Sequence, residues 1–204
     1  MSASRLKGKP LLKINNLPII CHVLSKAKKT GIESFVATED KEIISAVEQN
    51  ETGKAILTGH HKTGTDRIFE AFQKLKFKDV DYVLNLQGDE PMIDQKDIIN
   101  LNKLMIKHNS DMGTLAAEIK DDKILNDKNI VKVITDKKLK NNNFAKALNF
   151  SRKDLSKENS NIYHHIGIYC YKASVLEKFI NLPQTKNEIE NRLEQLRALE
   201  NDIE

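Results

Sequence analysis

Residues 81–91, DYVLNLQGDEP, run from an apolar segment into a carboxylate that could take part in chemistry. Gly88 permits a sharp turn or a close approach of the backbone to a ligand, and Asp89 follows it directly. If the apolar segment is a buried strand, Asp89 lies at its carboxyl end, where a carboxylate can hold a divalent cation against phosphate oxygens. The same residue types also suit an ordinary turn, and the segment alone leaves both interpretations open.

A cluster of cations surrounds a glycine near the start of the chain. Arg5, Lys7 and Lys9 lie around Gly8, and Pro10 follows. Phosphate-group transfer requires cationic side chains and backbone N–H groups that converge on non-bridging oxygens, and Arg5, Lys9 and Gly8 could supply them. An exposed basic segment would have the same composition. The chain has neither a Gly-x-x-x-x-Gly-Lys-Ser/Thr loop nor a Gly-x-Gly-x-x-Gly motif, which excludes two common phosphate-binding loops.

Residues 60–67, HHKTGTDR, place threonine hydroxyls and a glycine before an amphipathic segment. Small hydroxyl residues and glycine are typical of a loop that lines a nucleotide and leads into the N-terminus of a helix. The alternative is an ordinary helix start, with a capping residue and an acidic first turn. That alternative accounts for Thr65 and Asp66 equally well.

Further polar candidates lie in the strand-rich second half of the chain. Arg152 ends a predicted strand and could bind a carboxylate with its guanidinium fork. His164 and His165 are adjacent in another predicted strand, so their side chains are expected on opposite faces, one toward a pocket and one toward solvent. A metal site formed by this histidine pair is therefore not expected.

The end of the chain is predicted as one helix over residues 186–202. Apolar residues recur there at helical spacing, namely Ile189, Leu193, Leu196 and Leu199. Leu193 and Leu196 are assigned to the core. From the local sequence alone, Glu194, Gln195 and Arg197 form a solvated face of this helix.

Strand and helix periodicities alternate over the first part of the chain, with short connections. This alternation predicts an α/β domain with a mainly parallel sheet flanked by helices, in which ligands bind beyond the carboxyl ends of the strands. After residue 119 the pattern becomes strand-rich, in segments 129–136, 145–151 and 161–172. We interpret this part as a β insertion on the main sheet, within a single domain over residues 1–204.

Composition excludes several classes of protein. The chain has 204 residues, a net charge of +4 and 5% aromatic residues, and it lacks basic runs interleaved with aromatics, so no nucleic-acid partner is expected. Cys21 and Cys170 are predicted to be buried thiols in a reducing compartment, with no disulfide framework. No apolar run reaches the length of a membrane span, and no signal-peptide core opens the chain, so a cytoplasmic location is expected and no membrane partner.

Taken together, these segments resemble one family, the 3-deoxy-manno-octulosonate cytidylyltransferases or CMP-Kdo synthetases. The matching segments run in family order, and they include SRLKGKPLL, HKTGTDRIFEA, NLQGDEPMI, ALNFSR, YHHIGIYCYK and LEQLRALEN. The resemblance implies a nucleotide-diphospho-sugar transferase-like (Rossmann-like) sheet with a β-rich dimerisation portion at about residues 120–170, and a homodimer. It also implies that CTP and Kdo react to give CMP-Kdo and pyrophosphate with Mg²⁺, which activates the sugar for lipopolysaccharide synthesis.

The resemblance also implies roles for individual residues. The nucleotide side is matched by Ser4, Arg5, Gly8, Lys9, Thr65, Arg67 and Gln87. The acid-sugar side is matched by Arg152, which would pair with the carboxylate, and by His165, Glu194 and Gln195, which would contact hydroxyls. Asp89 matches the metal-binding carboxylate, and Lys9 and Asp89 are the catalytic candidates. These assignments replace the solvated-face interpretation for Glu194 and Gln195.

The sequence departs from the family pattern at both ends. The family's leading apolar strand with its Pro-Ala-Arg turn has no match here, nor does its later motif with a second metal-binding carboxylate. We therefore expect this chain to have weak or no activity, to be checked by comparison with a version restored at both ends. Alternative functions are transfer to a related acid sugar, such as 8-amino-Kdo or a sialic acid, and a fragment that only binds nucleotide or dimerises.

Overall fold

The structure, a computed structural model, describes residues 8–140, 143–158 and 160–204. It divides into two compact units. The first comprises the described residues up to Val80 together with Asn85–Ile99, and the second comprises Asp81–Leu84 with Asn100–Glu204. The single domain over residues 1–204 and its dimerisation portion stay predictions.

The first unit contains small sheets and helices in alternation. Its elements are a short 3₁₀ helix (Lys9–Leu11), β1 (Lys13–Ile14), β2 (Leu17–Pro18), α1 (Ile19–Lys28), β3 (Phe35–Thr38), α2 (Lys41–Gln49), β4 (Lys54–Leu57) and α3 (Gly64–Leu75). Strands β1 and β2 pair antiparallel, whereas β3 and β4 pair parallel, with α2 as their crossover. The β3–α2–β4 segment is the parallel strand–helix–strand unit that the alternation predicts.

Local signals account for the helix starts in this unit. Asp40 accepts a hydrogen bond from the Glu42 amide at the start of α2, and Thr63 accepts one from the Asp66 amide at the start of α3. Helix α1 starts directly after Pro18, which forms its N-cap. The apolar faces of the helices and strands meet in one core cluster, formed by Ile20, Cys21, Leu24, Val36 and Val47.

The remaining elements are β5 (Tyr82–Asn85), α4 (Gln95–His108), β6 (Met112–Ala117), α5 (Lys123–Asn126), β7 (Lys132–Thr135), β8 (Ala147–Ser151), β9 (Asn161–Lys172), α6 (Ala173–Ile180), α7 (Lys186–Asn191) and α8 (Gln195–Leu199). Five of these strands form one sheet in the order β5-β9-β7-β8, and β6 also pairs with β9. The predicted strand over residues 81–87 is shorter than expected and only half-buried along Tyr82–Leu84. Its position at the end of the strand order explains this exposure, because an edge strand is covered on fewer sides.

The sheet of the second unit is antiparallel in its central pairs. Strand β7 pairs antiparallel with both β8 and β9, and β6 pairs antiparallel with β9. The connections from β7 to β8 and from β8 to β9 are shorter than the dozen or so residues that a parallel crossover requires. The β3–β4 pair is parallel. The strand-rich segments contribute antiparallel strands, which agrees with their interpretation as a β insertion.

The single helix predicted over residues 186–202 is wrong. The chain forms α7 and α8 instead, separated at Arg192, whose φ of 55° is left-handed. The Arg192 amide donates to the Glu188 carbonyl, which ends α7 in the manner of a helix C-cap. The break leaves Ile189, which continues the helical spacing of the leucines in the sequence, 58% exposed. Leu193 and Leu196 do join the core, as predicted.

Arg197 was assigned to a solvated face, and this prediction is also wrong. Its side chain is buried and binds both carboxylate oxygens of Glu188, at 2.8 Å through Nε and 2.6 Å through Nη2. Its guanidinium also lies 4.7 Å from the centroid of the Phe179 ring. The change of chain direction at Arg192 is what turns this arginine inward.

Candidate functional site

The two catalytic candidates are in contact in the first unit. Lys9 Nζ lies 2.7 Å from Asp89 Oδ2, across 80 residues of sequence. Lys9 begins the 3₁₀ helix, and Asp89 lies in the turn after β5, which the Glu90 amide closes on the Gln87 carbonyl at 3.2 Å. The hydrogen bond and the negative charge of Asp89 raise the pKa of Lys9. The fold therefore brings together the basic loop and the carboxylate that the sequence suggested independently.

Two glycines beside this pair have conformational or steric reasons to be glycine. Gly8 has a φ of 76°, a left-handed conformation that precedes Lys9. A Cβ on Gly88 would lie 2.9 Å from Ile20 Cδ1. The Asp89 turn therefore approaches α1 closely at Gly88. Since Gly88 has no side chain, this approach needs no displacement of Ile20.

The other residues predicted for the nucleotide side differ in accessibility. Thr65 is buried at 2% exposure, Gln87 is exposed, and Arg67 donates to Glu39 Oε1 at 3.3 Å. Ser4 and Arg5 lie outside the described residues. The capping interpretation of the HHKTGTDR segment is correct for Asp66, which lies in the first turn of α3, but wrong for Thr65, because the N-cap is Thr63 and Thr65 lies within the helix. The nucleotide-side roles stay predictions.

Two glutamates that sequence reasoning missed hold the loop before α3. Glu39 contacts His60 Nδ1 at 2.7 Å, and Glu70 contacts His61 and the Gly59 amide. Hydrogen bonds, first from Lys74 and then from His61, lower the pKa of Glu70 to about 2. Glu70 lies nine residues after His61, within the HKTGTDRIFEA segment, and Glu39 lies 21 residues before His60, so both pairings depend on the fold.

The acid-sugar candidates lie in the second unit. Arg152 follows β8, and its Nη1 donates to the Asn129 carbonyl at 2.9 Å. His165 is buried in β9, with Nε2 3.0 Å from Thr114 Oγ1. Its ring meets the Phe150 ring edge-on, at 5.0 Å between centroids. His165 thus faces the side of the sheet that carries Phe150, and His164, whose side chain alternates to the other face, is half-buried.

Glu194 and Gln195 lie at the start of α8. Gln195 is buried, and a Glu194 carboxylate oxygen lies 3.5 Å from Arg197 Nη2. Tyr169 belongs with this group, because burial and then the Glu194 charge raise its pKa, and its ring lies 5.6 Å from that of His165. Sequence reasoning missed Tyr169.

Because His165 is buried, we expect the stability of the folded protein to decrease in acid. Burial, followed by the nearby charges of His164 and Arg152, lowers its pKa to about 4 from 6.5. The unfolded chain takes up a proton near pH 6.5 and the folded chain only near pH 4. The free energy of unfolding should therefore fall as pH drops through this window, by about 3 kcal/mol at most. Urea denaturation between pH 7.5 and 4.5 measures this slope.

Two variants make this pH test specific. His165→Asn should lose the part of the slope between pH 6.5 and 4, since the titrating ring is gone. His108→Asn, which changes another histidine of the same unit, should keep it. An unchanged slope in His165→Asn would show that other groups cause the acid sensitivity.

The resemblance implies Mg²⁺, and Asp89 is the residue that could hold it. Among the described residues, no group of three or more histidine, cysteine, aspartate or glutamate side chains could form a metal site. Mg²⁺ commonly takes only one or two carboxylates and completes its shell with waters and substrate phosphates. A single carboxylate beside a lysine therefore fits a cation that arrives with a triphosphate. In the described parts of the chain, no helix is long and apolar enough to cross a membrane.

Comparisons with known proteins agree over almost the whole chain. A family described as Cytidylyltransferase matches residues 1–204. The chain is 43% identical to the 3-deoxy-manno-octulosonate cytidylyltransferase of Thermodesulfovibrio yellowstonii, with 98% of this chain and 83% of that protein covered. It is also 43% identical to the 8-amino-3,8-dideoxy-manno-octulosonate cytidylyltransferase of Shewanella pealeana, with 97% and 82% covered.

A solved structure shares the fold. The structure of a CMP:2-keto-3-deoxy-manno-octonic acid synthetase complexed with CTP superposes with a TM-score of 0.85 at 35% identity, covering 98% of this chain and 82% of that one. This likeness confirms the predicted α/β, Rossmann-like nucleotidyltransferase class. With the match over residues 1–204 and the identity to the relatives above, it shows that this chain belongs to the 3-deoxy-manno-octulosonate cytidylyltransferase family.

Proposed function

We propose that this protein transfers CMP from CTP to 3-deoxy-manno-octulosonate, releasing pyrophosphate. The observation that carries the proposal is the 43% identity, over 98% of the chain, to an enzyme named for this reaction. The relative solved with CTP supports the nucleotide as the donor. The product would serve reactions that consume an activated acid sugar, such as those of lipopolysaccharide synthesis.

In the proposed reaction, the anomeric hydroxyl oxygen of the sugar attacks the α-phosphorus of CTP. The new P–O bond forms as the bond to the β-phosphate bridging oxygen breaks, pyrophosphate leaves, and the hydroxyl proton passes to solvent or a nearby base. Because little covalent chemistry falls to the protein, positioning and charge neutralisation carry the catalysis. Lys9 supports this role, since its ammonium is partly exposed and can exchange its contact with Asp89 for phosphate oxygens.

Mg²⁺, when bound, would neutralise charge on the phosphate oxygens, and Asp89 would be its ligand from the described part of the chain. The Lys9–Asp89 contact supports the assignment, because it places a carboxylate and a cation within reach of the same ligand. On the acid-sugar side, Arg152 would bind the carboxylate, and His165, Glu194 and Gln195 would contact hydroxyls.

A second candidate acceptor is the 8-amino sugar. A relative named 8-amino-3,8-dideoxy-manno-octulosonate cytidylyltransferase has the same sequence identity to this chain, 43%, as one named 3-deoxy-manno-octulosonate cytidylyltransferase. Comparing kcat/KM for the two sugars at saturating CTP decides between them. A homodimer and a cytoplasmic location, where CTP is available, complete the proposal, and light scattering after size exclusion tests the dimer.

The test of the proposed function is pyrophosphate release by the purified protein with CTP, Mg²⁺ and the acid sugar. Formation of the CMP-sugar, detected by mass spectrometry, should equal the pyrophosphate released. Reactions without sugar measure CTP hydrolysis, and reactions with ATP, GTP or UTP measure base selectivity. Absence of product with every acid sugar tested, both from the folded protein and from the version restored at both ends, would overturn the proposal.

A further inference from the structure

Lys132 is a buried lysine that the proposed reaction does not use. It opens β7, its exposed fraction is 0%, and its Nζ donates a hydrogen bond to the Asp127 carbonyl at 2.9 Å. Burial lowers its pKa, against the attraction of Asp127 and Asp154, and the nearby Arg152 charge lowers it further. Burying an amine costs free energy, so the contact it makes is informative about its role.

The acceptor of this hydrogen bond belongs to a tight turn. The Asp127 carbonyl also accepts from the Ile130 amide at 3.3 Å, which closes the turn Asp127–Ile130. The Asp127 carboxylate accepts from the Asn129 amide at 2.8 Å and from its side-chain amide at 3.1 Å. The Asp127–Ile130 turn is therefore held by the hydrogen bond from Lys132 and also by the carboxylate of Asp127, the first residue of the turn.

The same turn holds Arg152. Arg152 Nη1 donates to the Asn129 carbonyl at 2.9 Å. Arg152 directly follows Ser151, which is the register partner of Lys132 in the β7–β8 pair. Lys132 and Arg152 thus bind two carbonyls of one turn from neighbouring strands. A guanidinium is planar, so fixing one of its nitrogens restricts the direction in which the remaining donors meet a ligand.

We propose that Lys132 is a positioning residue for Arg152. It fastens the Asp127–Ile130 turn, and the Asn129 carbonyl of that turn sets the orientation in which the guanidinium binds the carboxylate of the acid sugar. This inference rests on the proposed function, in which Arg152 pairs with that carboxylate. It predicts that Lys132 affects the binding of the acid sugar and does not affect the binding of the nucleotide.

The first test replaces Lys132 by methionine, which has similar length and no charge. Lys132→Met should raise KM for the acid sugar about tenfold, because a misdirected guanidinium binds its carboxylate less well. The values of kcat and of KM for CTP should stay within about twofold. A merely structural loss would instead change both KM values or the fraction of folded protein. Equal changes in the two KM values would overturn the proposal.

A double-mutant cycle with Arg152→Met tests whether Lys132 acts through the arginine. If it does, adding Lys132→Met to Arg152→Met should change KM for the acid sugar by less than about twofold. Full additivity would overturn the proposal. If Arg152→Met alone leaves this KM unchanged, the assignment of Arg152 fails. If neither the unmodified protein nor the version restored at both ends makes product, the proposed function fails. These failures are therefore distinguishable.

A second pair of variants covers the case in which Lys132→Met does not fold. Asp127→Ala removes the carboxylate that holds the same turn and one of the two carboxylates that attract the buried Lys132, but it keeps the backbone carbonyl that Lys132 binds. It should raise KM for the acid sugar several-fold. Asp121→Ala is the matched control, since Asp121 accepts a similar hydrogen bond from the Lys123 amide in the preceding turn. An effect of Asp127→Ala no larger than that of Asp121→Ala would contradict the proposed role of the turn.

Discussion

Replacing Asp89 by asparagine should lower the rate of pyrophosphate release by about 10²–10³-fold. The amide keeps the size of the side chain but removes the charge that would hold a divalent cation and that now pairs with Lys9 at 2.7 Å. Stability should change little, because both side chains are more than a third exposed and such pairs contribute about 1 kcal/mol or less. Initial rates over a range of Mg²⁺ concentrations measure the effect on kcat and on the apparent metal affinity.

Asp94→Asn is the control for this prediction. Asp94 is exposed a few residues further along the same segment, and its Oδ1 accepts from the Lys96 amide. The control should retain its rate within about twofold, since a capping interaction on an exposed turn has no part in phosphate chemistry. If Asp89→Asn keeps the unmodified rate at all Mg²⁺ concentrations, the metal assignment is wrong.

The elements with continuous local signals were predictable from the sequence. Helix α4 forms where Ile98, Leu101 and Met105 repeat at helical spacing in the sequence, and all three are buried. Helix α2 starts at Asp40, a residue type that caps helices, and its side chain accepts a backbone hydrogen bond within the same turn. Such signals involve neighbours in sequence, so they need no knowledge of the tertiary fold.

The break between α7 and α8 was not predictable in the same way. Ile189 before the break and the leucines after it keep helical spacing, and Arg192 adopts a left-handed conformation without being glycine or asparagine. What favours the break lies in the tertiary structure, where Arg197 meets Glu188 after the chain has turned. An arginine in a charged segment is usually solvated, and no local feature distinguishes this one.

The candidate site was predictable in its parts. Lys9 and Asp89 were each suggested by their own segment, but only the folded chain shows that their side chains touch. Tyr169 was missed although it lies four residues after His165, so that alternation along β9 places the two side chains on the same face. The register shift between β6 and β9 after Thr114 keeps this arrangement, because one step along β6 matches three along β9. The residue type alone did not single out this tyrosine, and only the folded chain shows its ring beside that of His165.

Breaking the buried Glu188–Arg197 pair should strongly lower the free energy of unfolding. Each side chain is 4% exposed, and Glu188→Gln removes the carboxylate that binds Arg197 through two hydrogen bonds and leaves Glu194, at 3.5 Å, as a more distant one. Breaking such a buried pair costs about 3–5 kcal/mol. Glutamine can still accept a hydrogen bond from the Thr185 amide, so the capping box at the start of α7 can still form. Urea denaturation at neutral pH measures the loss. Glu190→Gln is the control, because Glu190 forms only an exposed pair with Lys186 in the same helix, worth less than about 1 kcal/mol.

The pH dependence of this variant tests the same pair from the acid side. Burial alone would raise the pKa of Glu188, but the hydrogen bonds from Arg197 and Gln184 outweigh it and hold the pKa below its ordinary value of 4.5. The stabilisation is therefore fully present above pH 4.5, where the unfolded chain also carries the charge, and is lost as pH falls through the lower pKa of the folded state. Glu188→Gln should remove this acid-dependent part of the slope while keeping the His165 part between pH 6.5 and 4. A variant that is as stable as the unmodified protein at pH 7 would mean that the pair's attraction only offsets its burial, and Arg197 would then be held by Phe179 and its carbonyl instead.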